Sequence, residues 1–226
     1  MTVIDRDVSV VMHLASLENI PVTPFPEGFS VRFFRAADGH DAELYRHIWQ
    51  EADRRLFNDS TMALRDDWFA NGFGMDSALH EERIMFIVAP DKQTVGVTTA
   101  WFAAEPTGPM ALVHYVAMLP AYTGKGLSKP LLAAVLRRQR ELGHTECRLG
   151  SSTGRSAAVN LYVKFGFMPG AVRREVARVM QRTNPLLFPR SVHPAIAHSA
   201  HTKRPLRGVT GGPAAASVSP RKTAYS

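Results

Sequence analysis

Met118-Leu119-Pro120-Ala121-Tyr122-Thr123-Gly124-Lys125-Gly126-Leu127-Ser128-Lys129 is the stretch that decides the fold. Before it, Ala111 to Met118 reads as a strand, which Pro120 stops. Tyr122 to Gly126 makes a tight loop. A helix then opens, with Leu127, Leu131, Leu132, Val135 and Leu136 on one face. Arg137, Arg138 and Arg140 near its end, and Gly143 just beyond, form an ordinary helix stop. A strand that runs through a Gly-x-Gly turn into a helix is suited to anions. The glycines allow close backbone approach, and the helix start offers unpaired N–H groups and about half a positive charge. The amides of Gly124, Lys125, Gly126, Leu127 and Ser128 are therefore candidates to hold a pyrophosphate, with Lys125 and Lys129 adding charge. The loop is not a Walker A sequence. It also lacks a third glycine for the dinucleotide pattern, because Lys129 stands there.

Working outward, Phe29 to Phe34 reads as a short strand and Asp41 to Arg54 as a helix. A weaker helical stretch surrounds Trp68 and Phe69. Ile84–Val88 and Val95–Phe102 form a hairpin about Pro90-Asp91-Lys92. Downstream of the loop, Glu146 to Gly150 is a strand and Ser156 to Phe165 a helix, and Gly166-Phe167 leads into a last strand. The order is a mixed α/β pattern, with antiparallel hairpins early and a strand–loop–helix–strand unit late.

Two motifs at this separation resemble the GNAT superfamily of N-acetyltransferases. The loop is similar to the family's Val-x-Pro followed by [Gln/Arg]-x-x-Gly-x-[Gly/Ala]. Ala158, Leu161-Tyr162 and Gly166-Phe167 are similar to its Asn-x-x-Ala-x-x-Leu-Tyr-x-x-x-Gly-Phe. Three positions depart from the pattern: Thr123 for Gln/Arg, Ser128 for Gly/Ala, and Arg155 for the motif Asn. Ser128 retains the chemistry to cap a helix, and Arg155 would contact a cofactor by charge in place of an amide hydrogen bond.

The resemblance implies an α/β fold of the α+β kind. Its central sheet is mixed and mostly antiparallel, is flanked by helices, and has one strand pair splayed to admit CoA. It implies acetyl-CoA as cosubstrate and transfer of acetyl to a primary amine by direct attack in a ternary complex. The alternative is a CoA-binding or regulatory domain without catalysis. Backbone groups of Val116, Ala117 and Met118 are expected to bind the pantetheine arm, at a β-bulge. Tyr162 is expected at the thioester sulfur, where a phenol of pKa ~10 can protonate a thiolate leaving at ~8.5. His114 is the candidate base, on one face with Val116 and Met118 by period-2 alternation and with an ordinary pKa of ~6.5. Ordered water is the other route for that proton. Trp68 and Trp101 are first of all core candidates, and either could line the acceptor pocket that the family builds from its early helices and central strands.

Composition bounds the remaining readings. Of the 27 Lys and Arg, eight follow Glu175, where no Asp or Glu occurs. The first 175 residues therefore hold 19 basic and 20 acidic groups, and the overall +7 belongs to the tail. A near-neutral domain is not expected to read nucleic acid. The expected division is an N-terminal extension over 1–28, an acetyltransferase domain over 29–190 and a disordered basic tail over 191–226, poor in large apolar side chains. No apolar run approaches the ~18 residues of a membrane span, and no secretory leader is expected. The single cysteine, Cys147, excludes an internal disulfide, suits a reducing cytoplasm and is expected to be inert. No metal site is expected, and the partner is a small-molecule or peptide amine, with a homodimer open as an assembly.

Overall fold

The computed structural model describes residues 8–54, 68–106 and 108–169. In chain order the strands are β1 (Ser9–Leu14), β2 (Ser30–Phe33), β3 (Ile84–Val88), β4 (Thr94–Glu105), β5 (Gly108–Met118), β6 (Cys147–Ser152) and β7 (Met168–Pro169). The helices are α1 (Asp41–Arg54), α2 (Trp68–Phe73), α3 (Ser77–Arg83), α4 (Ser128–Glu141) and α5 (Ser156–Lys164). The strands join in one sheet, in the order β2-β3-β4-β5-β6-β1-β7. Every pairing is antiparallel except that of β5 with β6. This is the mixed, mostly antiparallel sheet flanked by helices that the sequence leads one to expect.

The tail over 191–226, and the end of the expected domain at 190, lie outside the described residues. The segment placed before the domain supplies β1, which lies between β6 and β7. Its alternation is plain once paired: Val10, Met12 and Leu14 are buried while Ser9 and Val11 are exposed. Reciprocal bonds tie its start to the end of β6, with the Val8 amide donating to Thr153 Oγ1 at 2.9 Å and the Thr153 amide donating to the Val8 carbonyl at 3.0 Å. His13 Nε2 and Glu146 Oε2, 2.6 Å apart, join its far end to the approach to β6.

Two apolar clusters result. One joins Val10, Met12 and Leu14 of β1 to Leu132, Val135 and Leu136 of α4, Leu149 of β6 and Tyr162 of α5. The other joins Tyr45, Ile48 and Trp49 of α1 to Phe73, Phe86, Val97 and Ala117. Helix α1 is fixed at its start by Asp41, which is buried and takes two bonds from the Arg32 guanidinium, at 2.6 and 2.8 Å, and one from the Arg35 amide at 2.8 Å. A buried charge is tolerated when it is paired and hydrogen-bonded in this way. Among the described residues, no helix is long and apolar enough to cross a membrane, and no group of His, Cys, Asp and Glu is arranged to hold a metal ion.

Helix α4 buries a continuous apolar stretch from Pro130 to Leu136, and Gln139 is its one buried polar residue. Gln139 is fully buried, and its Nε2 donates to the carbonyls of Trp101 in β4 and Leu112 in β5, each at 2.8 Å. It fixes the helix to the two strands just before they reach the site. Gln139→Leu keeps a similar volume and withdraws both donors. The expected cost is about 1–3 kcal/mol, seen as a fall of several degrees in melting temperature, about 2–4 °C per kcal/mol for a domain of this size. An unchanged melting temperature would show that the two bonds contribute nothing net.

Candidate functional site

Strands β5 and β6 run parallel but pair only at Leu112↔Arg148 and Val113↔Leu149. Beyond Val113 they part. The cause lies on the other edge of β5. Thr98 of β4 faces Val116 and Thr99 faces His114, so Tyr115 is an extra residue in β5. Its φ is +57°, in the left-handed region that costs a bulky residue strain. The Thr98 side chain, wholly buried, donates from Oγ1 to the Tyr115 carbonyl at 2.6 Å and holds the bulge. A bulge bends its strand and increases local twist, which turns the end of β5 away from β6.

The parted strands enclose a cleft of about 830 Å³. One wall is β5 from Val113 to Met118, the other is β6 from Gly150 to Ser152 with β1 from Ser9 to Val11 beside it. Helix α5 closes one side through Arg155, Ser156, Ala157, Ala158 and Tyr162, and helix α1 the other through Trp49 and Ala52. Of the residues singled out in the sequence, the cleft brings together His114, Val116, Ala117, Met118, Arg155 and Tyr162. The phosphate-loop candidates Gly124, Lys125, Gly126, Leu127, Ser128 and Lys129 are not among its lining residues, and the lining reaches the loop only at Thr123.

The loop itself has the backbone an anion cradle requires. Gly124 has φ +82° and Gly126 +76°, and a Cβ on either would meet nothing within 4 Å. Leu127, not Ser128, stands at the N-cap of α4, and no side chain caps the helix. The expected Ser128 cap is therefore not made, because Ser128 is already the first helical residue. Leu127 is buried and turns its side chain into the core. Lys125 Nζ rests 4.2 Å from the centroid of the Tyr122 ring, whose hydroxyl donates to Gln93 Oε1 at 3.0 Å.

A family model described as the acetyltransferase (GNAT) family matches residues 42–167. The chain belongs to this family. A mycothiol acetyltransferase of Nocardia farcinica is 30% identical over 159 residues, 68% of this chain and 50% of that protein. The chain thus spans about half the length of that relative. A GCN5-related N-acetyltransferase of Sphaerobacter thermophilus superposes with a TM-score of 0.54 at 20% identity, covering 73% of this chain and 49% of its own. A Drosophila protein superposes at 0.50 and 16% identity, covering 73% and 48%. At these identities the two structural likenesses bear on the fold alone.

Within this GNAT domain two expectations change. The bulge at Tyr115 cancels the alternation that put His114 on one face with Val116. Opposite Thr99 and Thr98 respectively, the two residues face opposite sides of the sheet. Burial then lowers the pKa of His114 to about 4. Its Nδ1 is enclosed without a hydrogen-bond partner, and the ring lies between Phe73 at 5.2 Å and Tyr115 at 4.4 Å. An imidazolium there would strand one N–H. Tyr162 is buried, and its pKa is pushed up to about 12 by that burial, against a smaller opposing pull from Arg155. Its phenol is thus a neutral O–H donor. Neither Trp68 nor Trp101 lines the cleft: Trp68 stacks behind Trp49 at 5.8 Å, and Trp101 packs against Phe73 at 5.1 Å. Cys147 is buried, and its thiol is pushed up to about 12 by burial, which makes it inert.

The sequence did not point to Tyr115, Trp49, Ser151 or the β1 residues as cleft walls. Helical spacing put Trp49 on the apolar face of α1, the one available signal. Nothing local distinguishes Tyr115 from an ordinary strand residue.

The low pKa of His114 makes stability depend on pH. The unfolded imidazole protonates near 6.5, the folded one near 4. Between these values the unfolded state binds more protons, so stability falls as pH drops from about 6.5 toward 4 and the loss is complete below that. The expected loss is about 3 kcal/mol. His114→Leu removes the titration, so denaturant midpoints measured across this window should show a shallower slope for the variant. Parallel slopes would place the titration elsewhere.

Proposed function

We propose that this chain is an acetyl-CoA-dependent N-acetyltransferase that passes acetyl to a primary amine by direct attack within a ternary complex. The observation that carries this is the parting of β5 from β6 around one cleft, walled by Tyr162 on one side and His114 on the other. Acetyl-CoA supplies the activated acyl group as a thioester. The residues present suit it. The amides of Gly124 to Ser128, at two positive-φ glycines and an uncapped helix start, would hold the pyrophosphate, aided by Lys125 and Lys129. The main chain of Val116 to Met118 would hold the pantetheine arm, and Arg155 adds positive charge to the cleft wall.

The chemistry assigned to each side chain follows from its burial. Tyr162 presents an O–H that donates to the departing sulfur and then yields its proton to it. Its raised pKa keeps that proton in place until charge develops. His114 is neutral at physiological pH, so it can accept a hydrogen bond from the entering amine, but a base of pKa about 4 is too weak to strip an ammonium ion. The amine's proton therefore leaves to ordered water. Among the described residues that line the cleft none is Cys, which supports direct attack over an acyl-enzyme route.

Two variants test the two ends of this reading. Gly126→Asp sets a carboxylate where the phosphates would sit, and its Cβ meets no neighbour. Acetyl-CoA binding is expected to be lost by calorimetry, while Gly126→Asn, with equal backbone strain and no charge, retains part of it. Equal affinity of Gly126→Asp and the parent chain would move the phosphate site elsewhere. Tyr162→Phe keeps the ring and removes the proton. Its kcat is expected to fall by ~10²–10⁴ with little change in acetyl-CoA affinity. The loss should shrink with a more acidic leaving thiol. Near-normal turnover with a lowered melting temperature would instead mark Tyr162 as a packing residue.

A further inference from the structure

Where β6 has lost β5 as a neighbour it carries two successive serines, one on each face of the sheet. We propose that they sort the two substrates. Ser151 binds the pantetheine arm of the cosubstrate, and Ser152 binds an oxygen of the acceptor, on the carbon next to the one that bears its amine. This rests on the reading of the cleft as the acetyl-transfer site.

The faces follow from register. Val113 of β5 pairs with Leu149, and Ser151 pairs with Val10 of β1. Leu149 and Val10 pack with α4 and with Tyr162 of α5. Ser151, two residues on from Leu149, therefore lies on the Tyr162 side of the sheet. Leu112 pairs with Arg148, so His114, Gly150 and Ser152 belong to the opposite side. The ring of Phe73 in α2, 5.2 Å from that of His114, marks that side. In the proposed reaction the start of α4, Arg155 and Tyr162 hold the cosubstrate on the first side. The amine then reaches the thioester from the second.

Each serine has a hydroxyl free for a ligand. Both residues line the cleft, and the Oγ of each is enclosed without a protein hydrogen-bond partner. A buried hydroxyl left unpaired costs free energy, and a ligand bond removes that cost. A turn about χ1 between staggered rotamers swings the oxygen toward the cleft that the side chain already borders.

The acceptor's chemistry comes from spacing. In the register of the paired residues, His114 stands level with Gly150, and Ser152 lies two residues, about 6–7 Å, farther along the same face. Gly150 presents no side chain, and a Cβ there would meet nothing within 4 Å, so the floor between His114 and Ser152 is open. A hydrogen bond to Ser152 takes up ~2.8 Å of that length. An amine beside His114 and an oxygen held by Ser152 are then about 4 Å apart, the span of N–C–C–O. Amino alcohols and amino acid amides both supply that oxygen, and an alkylamine does not. Serine both donates and accepts, so it takes either.

The test uses the full chain and two variants. Calorimetry compares CoA with adenosine 3′,5′-bisphosphate, which lacks the arm. Ser151→Ala is expected to weaken CoA about three- to tenfold and to leave the bisphosphate unchanged, and Ser152→Ala to change neither. Thiol release from acetyl-CoA then compares alaninol and alaninamide with isopropylamine, which lacks the oxygen. In Ser152→Ala the kcat/KM advantage of the two over isopropylamine is expected to shrink about three- to tenfold, and in Ser151→Ala to stay. The change in that advantage is what is read, because the oxygen also weakens the amine as a base, equally in every variant. A response by one of the two alone supports the assignment and names the oxygen as hydroxyl or carbonyl. Melting temperatures are expected to hold, since neither hydroxyl bonds within the fold. Unchanged CoA affinity in Ser151→Ala, or an unchanged advantage in Ser152→Ala, would overturn the sorting and leave acetyl transfer standing. A parent chain that binds no CoA, or that binds it and acetylates none of the three amines, would overturn both.

Discussion

The hydrogen bond from Thr98 Oγ1 to the Tyr115 carbonyl, 2.6 Å long and buried, is the contact on which the site's geometry depends. It holds the carbonyl of Tyr115, the extra residue of the bulge, whose φ is positive. With it, β5 makes two paired positions with β6 and then leaves. The cleft is thus made by a sheet that stops pairing early. Such an opening normally costs unpaired main-chain groups, and the enzyme-like use of the opening is that a ligand can take them. The Oγ atoms of Ser151 and Ser152 on the facing strand are also enclosed without a protein hydrogen-bond partner.

Two supports brace that opening from behind. Gln139 ties α4 to the main chain of β4 and β5 at Trp101 and Leu112. Leu112 is one of the two residues of β5 that still pair with β6. The residue before Val113, the last paired position, is therefore anchored, and the parting starts beside a fixed point. On the far wall, the Val8–Thr153 bonds hold β1 against the end of β6, which keeps Ser9 to Val11 in the wall. A rigid frame around a deliberate gap is how a preorganised site keeps its shape before a ligand arrives.

What was legible in the sequence follows from this. The Gly124–Gly126 loop, the apolar run of α4 and the Leu161-Tyr162 pair are local patterns, and local patterns survive in a single sequence. Strand β1 was equally patterned, with Val10, Met12 and Leu14 alternating against Ser9, Val11 and His13. It was read as an extension because its partner, β6, lies more than a hundred residues away. The bulge was expected from family resemblance, but its effect on His114 was not. Counting by two from Met118 gives the wrong face, because Tyr115 is one residue more in β5 than β4 supplies opposite it. Register between strands is a tertiary property, and a shift of one residue reverses every face beyond it. Ser128 failed as a cap for a similar reason: the core demand for Leu127 set the helix start one residue earlier than hydroxyl chemistry favours.

The cleft also shows one cause with two opposite signs on a pKa scale. Burial lowers His114 to about 4 and raises Tyr162 to about 12. Both shifts favour the uncharged form, because a low-dielectric wall penalises either charge. The same wall acts on whatever enters. A neutral group crosses it at little cost and a charged one at more. In such a surrounding, a donor that keeps its proton until the sulfur becomes anionic contributes more than one that is half ionised beforehand, since stabilisation made only in the transition state is what raises kcat. In the reaction proposed above, the burial of Tyr162 would keep its proton in place until charge develops on the leaving group. In that reaction the same burial would leave His114 a weak base.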